Sequence, residues 1–179
     1  MSLEEEKAQL RALAHPVRIR ILSLLTSAEL TAADVARELD LTHANASYHL
    51  RALLHTGTIE VAGEERIRGG MAKRYRYDID RQLRRDFPPE REGRPGTDDR
   101  RLVLEAFAGE LRRRSADFMS AEHNLVADAE FWVDPDVWQD VHDRISAAVA
   151  DLHHAARPPR TPGTLHTSTT VALFRMADR

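Results

Sequence analysis

The stretch TAADVARELDLTHANASYHLRALLHTG, residues 31 to 57, holds two helix starts and one helix stop, and that spacing leaves little choice of local structure. Thr31 followed three residues later by Asp34 has the capping-box pattern, in which hydroxyl and carboxylate satisfy N–H groups that a first helical turn leaves unpaired. Val35, Ala36 and Leu39 then make a short apolar face. Asp40 and Leu41 form a turn, Thr42 is the next N-cap, and Ala46, Leu50, Leu53 and Leu54 share one face of a second helix that stops at Gly57. The outcome is two short helices joined tightly.

The flanks extend this unit. Leu10, Leu13, Val17, Ile21, Leu24 and Leu25 recur at three- and four-residue steps, so residues 3 to 26 read as helix with a new first turn at Pro16. Ile59 to Val61 and Arg74 to Ile79 are β-rich, and Gly69-Gly70 between them supplies a hairpin turn. Residues 86 to 99, DFPPEREGRPGTDD, have linker composition. Beyond them Leu104, Leu111, Phe118 and Leu125 fall at seven-residue intervals with Phe107 between, the seam of a long helix packing on another helix, although Arg114 interrupts it. Asp134-Pro135 opens a second helix expected to bury Trp138, Val141, Ile145, Val149 and Leu152. The tail HTSTTVALFRM, residues 166 to 176, is rich in β-branched residues and reads as one strand, with no adjacent hairpin partner.

With 179 residues the chain has room for one domain or two small ones. It has no cysteine, which excludes disulfides, thiolate metal sites and cysteine nucleophiles. No apolar run approaches the ~20 residues that span a bilayer, and MSLEEEKAQL lacks the basic and apolar regions of a secretion signal, so a cytoplasmic protein without membrane partners is expected. The net charge of −3 hides an asymmetry. Arg66, Arg68, Lys73, Arg74, Arg76, Arg81, Arg84 and Arg85 face only Asp78 and Asp80 in their stretch, whereas the residues from 98 onward carry more acidic than basic groups. Such local clustering suits a polyanion whatever the total charge.

Helix, short helix, turn, second helix and β-ribbon is the order of a winged helix-turn-helix module. The expected architecture is therefore mainly α with a small β-ribbon. Residues 1–85 form the winged module, 86–99 the linker, and 100–179 a helical dimerisation and effector domain with a C-terminal strand. LRALAHPVRIRILSLL (10–25), ASYHLRALLHTGTIEV (46–61) and GGMAKRYRYDI (69–79) resemble the first helix, recognition helix and wing of ArsR-type bacterial transcriptional regulators, over roughly residues 8 to 80. The resemblance implies a homodimer, a repressor by expectation, presenting one recognition helix per subunit to a palindromic double-stranded operator. At about 100° per residue, Ala44, Asn45, Tyr48, Arg51, Ala52 and His55 lie opposite Leu50, on a face available to DNA. Thr42, His43 and Ser47 lie where the family places contacts, and His49 matches the histidine of its S-x-H-L pattern. Arg68, Lys73, Arg74 and Arg76 of the wing would meet phosphates or the minor groove. His15 reads as a capping or packing residue.

Nine histidines raise the question of metal. His43, His49 and His55 repeat every six residues, about 600° of helix, so they point in three directions at ~9 Å steps and share no ion. Asp140, His142 and His153 are weak candidates for a metal-responsive repressor, and His142 and His153 stand ~16 Å apart along one helix. No catalytic or cofactor motif is present: glycine-rich phosphate loop, HExxH and G-x-S-x-G are all missing. Phe107, Phe118, Phe131, Trp132 and Trp138 read as core before pocket, with room left for an unidentified small-molecule effector. Outside the class, the competing reading is a winged-helix protein-interaction module that binds no DNA.

Overall fold

The structure is a computed structural model and describes residues 3–67, 70–80, 98–119 and 124–176. Helices α1 (Leu3–Leu13) and α2 (Pro16–Ser27) are one apolar stripe interrupted at the proline. His15 is the N-cap of α2: its Nδ1 accepts the Val17 N–H at 3.2 Å, while Pro16 fills a first-turn position whose N–H would have no partner. A two-residue strand, β1 (Leu30–Thr31), too short for hydrophobic periodicity to reveal, leads into α3 (Ala32–Leu39). The capping box of α3 is complete, with Thr31 Oγ1 accepting the Asp34 N–H at 3.2 Å and Asp34 Oδ2 accepting the Thr31 N–H at 3.0 Å. Burial alone would raise the Asp34 pKa, but hydrogen bonds from Thr31 and Arg37 hold it below its ordinary value.

Helix α3 ends on Asp40 in the left-handed region (φ 54°), and α4 (His43–His55) starts on Thr42, whose Oγ1 accepts the Asn45 N–H at 3.2 Å. Gly57 closes α4 at φ 65°, where a side chain would be strained. Its N–H returns to the Leu54 carbonyl at 3.0 Å and that of Thr58 to Leu53 at 3.0 Å, the paired bonds of a Schellman ending. Strands β2 (Glu60–Ile67) and β3 (Gly70–Arg76) complete an antiparallel sheet in the order β1-β3-β2, with a bulge between Val61 and Gly63. The ribbon differs from its expected bounds: β2 runs on through Glu64, Glu65 and Arg66, and β3 stops at Arg76. A ribbon exposed toward its tip needs ladder bonds more than apolar alternation, so charged residues serve there.

One core joins these elements, built on Ile21, Leu25, Val35, Ala46, Leu50 and Leu53 with Ile59 and Tyr75. Helix α5 (Asp98–Arg114) adds Val103 to it and lies along α1 and α2, with Arg11 Nε donating to Asp99 Oδ1 at 2.9 Å. The chain is thus helix-rich, with a small three-stranded sheet following the helix-turn-helix and helices beyond.

The C-terminal half departs from expectation in four ways. Helix α5 starts at Asp98, inside the stretch read as linker, whose residues up to 97 lie outside the described residues. It also ends at Arg114 in a 3₁₀ turn (Ser115–Asp117), so Phe118 and Leu125 lie beyond the helix instead of on its seam. The charged run Arg112-Arg113-Arg114 offers no apolar face to extend, and Arg113 and Arg114 turn back to the buried Glu110. Phe107 packs against the common core, while Leu104 and Leu111 are exposed. Helix α6 (Pro135–Ala155) begins as expected at Asp134-Pro135, yet none of its residues is buried. Finally, residues 166–176 form no strand: β-branched composition without a neighbouring edge leaves the ladder bonds unmade.

Candidate nucleic-acid interface

Helix α4 has two sharply different sides. Ala46, Leu50 and Leu53 are fully buried, whereas Thr42, His43, Ala44, Asn45, Arg51 and His55 are exposed and Tyr48 is 57% exposed. Ser47 and Ala52 are half-buried at the margins. The exposed strip combines Ala44, which keeps the backbone approachable, with an amide, a phenol and a guanidinium. Arg51 Nε donates to the Ser47 carbonyl at 3.2 Å, which steadies the stem and leaves its terminal nitrogens without partners among the described residues. Asn45 is shaped for bidentate contact with adenine, and Arg51 for guanine or phosphate. Gln9, itself buried, donates to the Thr56 carbonyl at 3.1 Å and ties the exit of α4 to α1.

His49 is a correction to the expected contact set. It is 5% exposed, three residues after Ala46 and four before Leu53, and therefore belongs to the buried stripe. Its ring lies 4.7 Å from that of His15, tilted by 49°, and Tyr48 stands edge-on to it at 5.2 Å. The Ala46–Leu53 spacing was the signal that places it inward. Position 15 behaves as expected, capping and packing at once.

The two histidines share their corner with Arg18, whose Nη1 reaches the Ala12 carbonyl at 3.4 Å. The buried Arg18 Nε and His49 Nδ1 have no hydrogen-bond partner among the described residues. Burial lowers the pKa of both histidines below 6.5, with Arg18 lowering each further and His15 adding to the effect on His49. Protons therefore bind the unfolded chain first as pH falls below 6.5, and stability declines from there toward the folded-state values. Melting temperatures from pH 7.5 down to 5 are expected to fall, and more shallowly in His49→Phe. Parallel curves for the two proteins would contradict this account.

The wing sorts its cations differently from the sequence. Arg74 donates to the Glu29 carbonyl at 3.2 Å and lies 3.7 Å from the Glu29 carboxylate, and Arg76 is ion-paired with Glu60. Both are thus partly neutralised within the chain. Arg66 and Lys73 are exposed and make no ion pair among the described residues. Arg68 lies outside the described residues.

The weak metal candidates do not converge. Asp140 pairs with Arg144 at 3.3 Å, His142 with Asp143 at 3.2 Å, and His153 Nδ1 with the Val149 carbonyl at 2.8 Å. Among the described residues no group of three metal-ligating side chains gathers. Nor do the aromatics assemble into an enclosed pocket: Trp132 lines a shallow depression with Val133, Asp134 and Val137, and Phe118 and Phe131 are exposed. Among the described residues no helix is long and apolar enough to cross a membrane.

A search of curated proteins finds no match to the chain. Residues 13–62, from the end of α1 through α4 into β2, match a family model described as a helix-turn-helix domain. The chain carries a helix-turn-helix domain of the kind associated with DNA binding and transcription regulation.

Proposed function

We propose that the protein is a sequence-specific transcriptional regulator of the ArsR type, a repressor that acts as a homodimer on a palindromic operator. The observation that carries this reading is the unobstructed strip of α4, with Asn45, Tyr48 and Arg51 outward and Ala46, Leu50 and Leu53 fully buried behind them. Base-reading groups stand on a helix whose seat in the core is fixed, next to a ribbon bearing the exposed Arg66 and Lys73. One such helix reads a few base pairs, so a two-fold pair of them matches a palindrome one helical turn apart. The exposed Leu104 and Leu111 of α5 remain available as a dimer seam.

The test is a gel-shift titration on fragments from the gene's own upstream region. Affinity is expected to fall steeply with salt, and Arg66→Ala with Lys73→Ala to reduce the slope by about 0.9 for each phosphate that is no longer neutralised. Arg76→Ala should flatten it less, because Glu60 already neutralises that charge. Absence of any specific shift across the fragments overturns the proposal, and in vitro transcription with the bound fragment decides the sign of regulation.

A further inference from the structure

We propose that the corner where His15 meets His49 is a proton-operated release of α4, which unseats the strip from Asn45 to Arg51 in acid. Two geometric facts carry it. His15 Nδ1 caps α2 as an acceptor, taking the Val17 N–H at 3.2 Å. An imidazolium has no lone pair left, so a proton on that nitrogen removes the cap and sets a positive charge at a helix N-terminus, where the dipole repels it. His49 is 5% exposed, and its buried Nδ1 has no hydrogen-bond partner among the described residues. Charging it there adds an unpaired buried N–H to an unpaired buried charge.

The surrounding charges raise the cost. Arg18 of α2 acts on both imidazoles, and a proton on either ring meets the other ring 4.7 Å away. Arg20, also on α2, is another cation. On α1, Lys7 is a further cation, Arg11 is paired with Asp99, and Gln9 holds the Thr56 carbonyl. On α3, Asp34 is held by Thr31 and Arg37, and Glu38 by Arg160. Among the side chains described on these three helices, both carboxylates are therefore engaged elsewhere. On α4 itself Tyr48 stands edge-on to His49, while His43, Arg51 and His55 lie on the exposed side.

The direction follows from the burial. Both imidazoles are held below 6.5 in the folded chain, by burial first and by neighbouring cations after it, so a released α4 takes up protons before a seated one. The seat is closed above pH 6.5 and loosens as the pH falls below it. Each group shifts the ratio of released to seated helix by up to about 10-fold per pH unit, so the two together give up to about 100-fold at pH 5.5. His49 stands four residues after Asn45 and two before Arg51, so its departure from the core turns the whole exposed strip. Under the proposed function the consequence is an operator let go in acid, and only that consequence rests on that reading.

Native-state hydrogen exchange of the full-length chain at pH 7.5 and 5.5, corrected for the intrinsic rate, measures the release without DNA. The opening constant at the Leu50 and Leu53 amides is expected to rise at least about 10-fold between the two, with Val103 and Ala106 of α5 lagging several-fold behind. His15→Asn with His49→Phe is expected to abolish the rise, because asparagine caps a helix without titrating and phenylalanine fills the place of the ring. His15→Asn alone should remove about half of it on a logarithmic scale, and decides the matter even where the double variant fails to fold. An opening constant indifferent to pH overturns the release. So does a rise undiminished in His15→Asn, or one that α5 shares in full, which is global unfolding. Operator binding is assayed separately at pH 7.5, where the seat is closed: its absence overturns the DNA reading and leaves the release standing, whereas pH-independent exchange beside normal operator binding overturns the release alone.

Discussion

Asn45→Ala and Arg51→Ala are each expected to weaken operator binding by about 1–3 kcal/mol, roughly 5- to 150-fold, and to relax selectivity at the base pair each contacts. Both side chains are exposed, and the Thr42 cap bonds only the backbone of Asn45, so neither change should move the melting temperature by more than a degree or two. Loss of affinity with an unchanged melt identifies readers, as opposed to structural residues. Competition gel shifts with single-base operator variants measure it. Unaltered affinity in both variants would remove α4 from the interface.

The opposite side of the same helix gives the second large effect. Leu50 is completely buried against the core that joins α1 to α4, the sheet and α5. Leu50→Ala removes three heavy atoms from a site walled by other helices, at a cost of about 2–5 kcal/mol. Domains of this size have ~5–15 kcal/mol in total, so the melting temperature should fall by on the order of 10–30 °C, and operator binding with it at 37 °C. Thermal unfolding followed by circular dichroism checks this. Tyr48→Ala, two residues away on the exposed face, serves as the contrast and should shift the midpoint by a few degrees at most. Equal shifts for the two would mean that α4 is not seated as described.

The head of the molecule was legible in its sequence because its signals are local. The capping box at Thr31, the cap at Thr42 and the stop at Gly57 each act over a handful of neighbouring residues, and each stands where the spacing placed it. His49 was harder, since a histidine on an apolar stripe resembles a polar reader until its neighbours Ala46 and Leu53 are weighed. The pairing of Arg74 with Glu29 and of Arg76 with Glu60 depends on strand register, which residue type does not encode. In the C-terminal half the seven-residue beat survives as far as Leu111. Beyond it, helix length is decided by whether the next apolar residue finds a surface, and Phe118 and Leu125 find none among the described residues.

Helix α1 has a place in this design beyond that of a packing element. Gln9 holds the carbonyl of Thr56 at the exit of α4, and two residues on, Arg11 holds Asp99 at the entry of α5. One short helix therefore grips both the helix that carries the exposed Asn45–Arg51 strip and the first helix of the C-terminal half. If α5 tilts, it must break the Arg11 link, slide across the Val103 contact, or carry α1 with it; in the last case Gln9 drags the end of α4. The orientation of α4 and the posture of the C-terminal half share a single hinge pin.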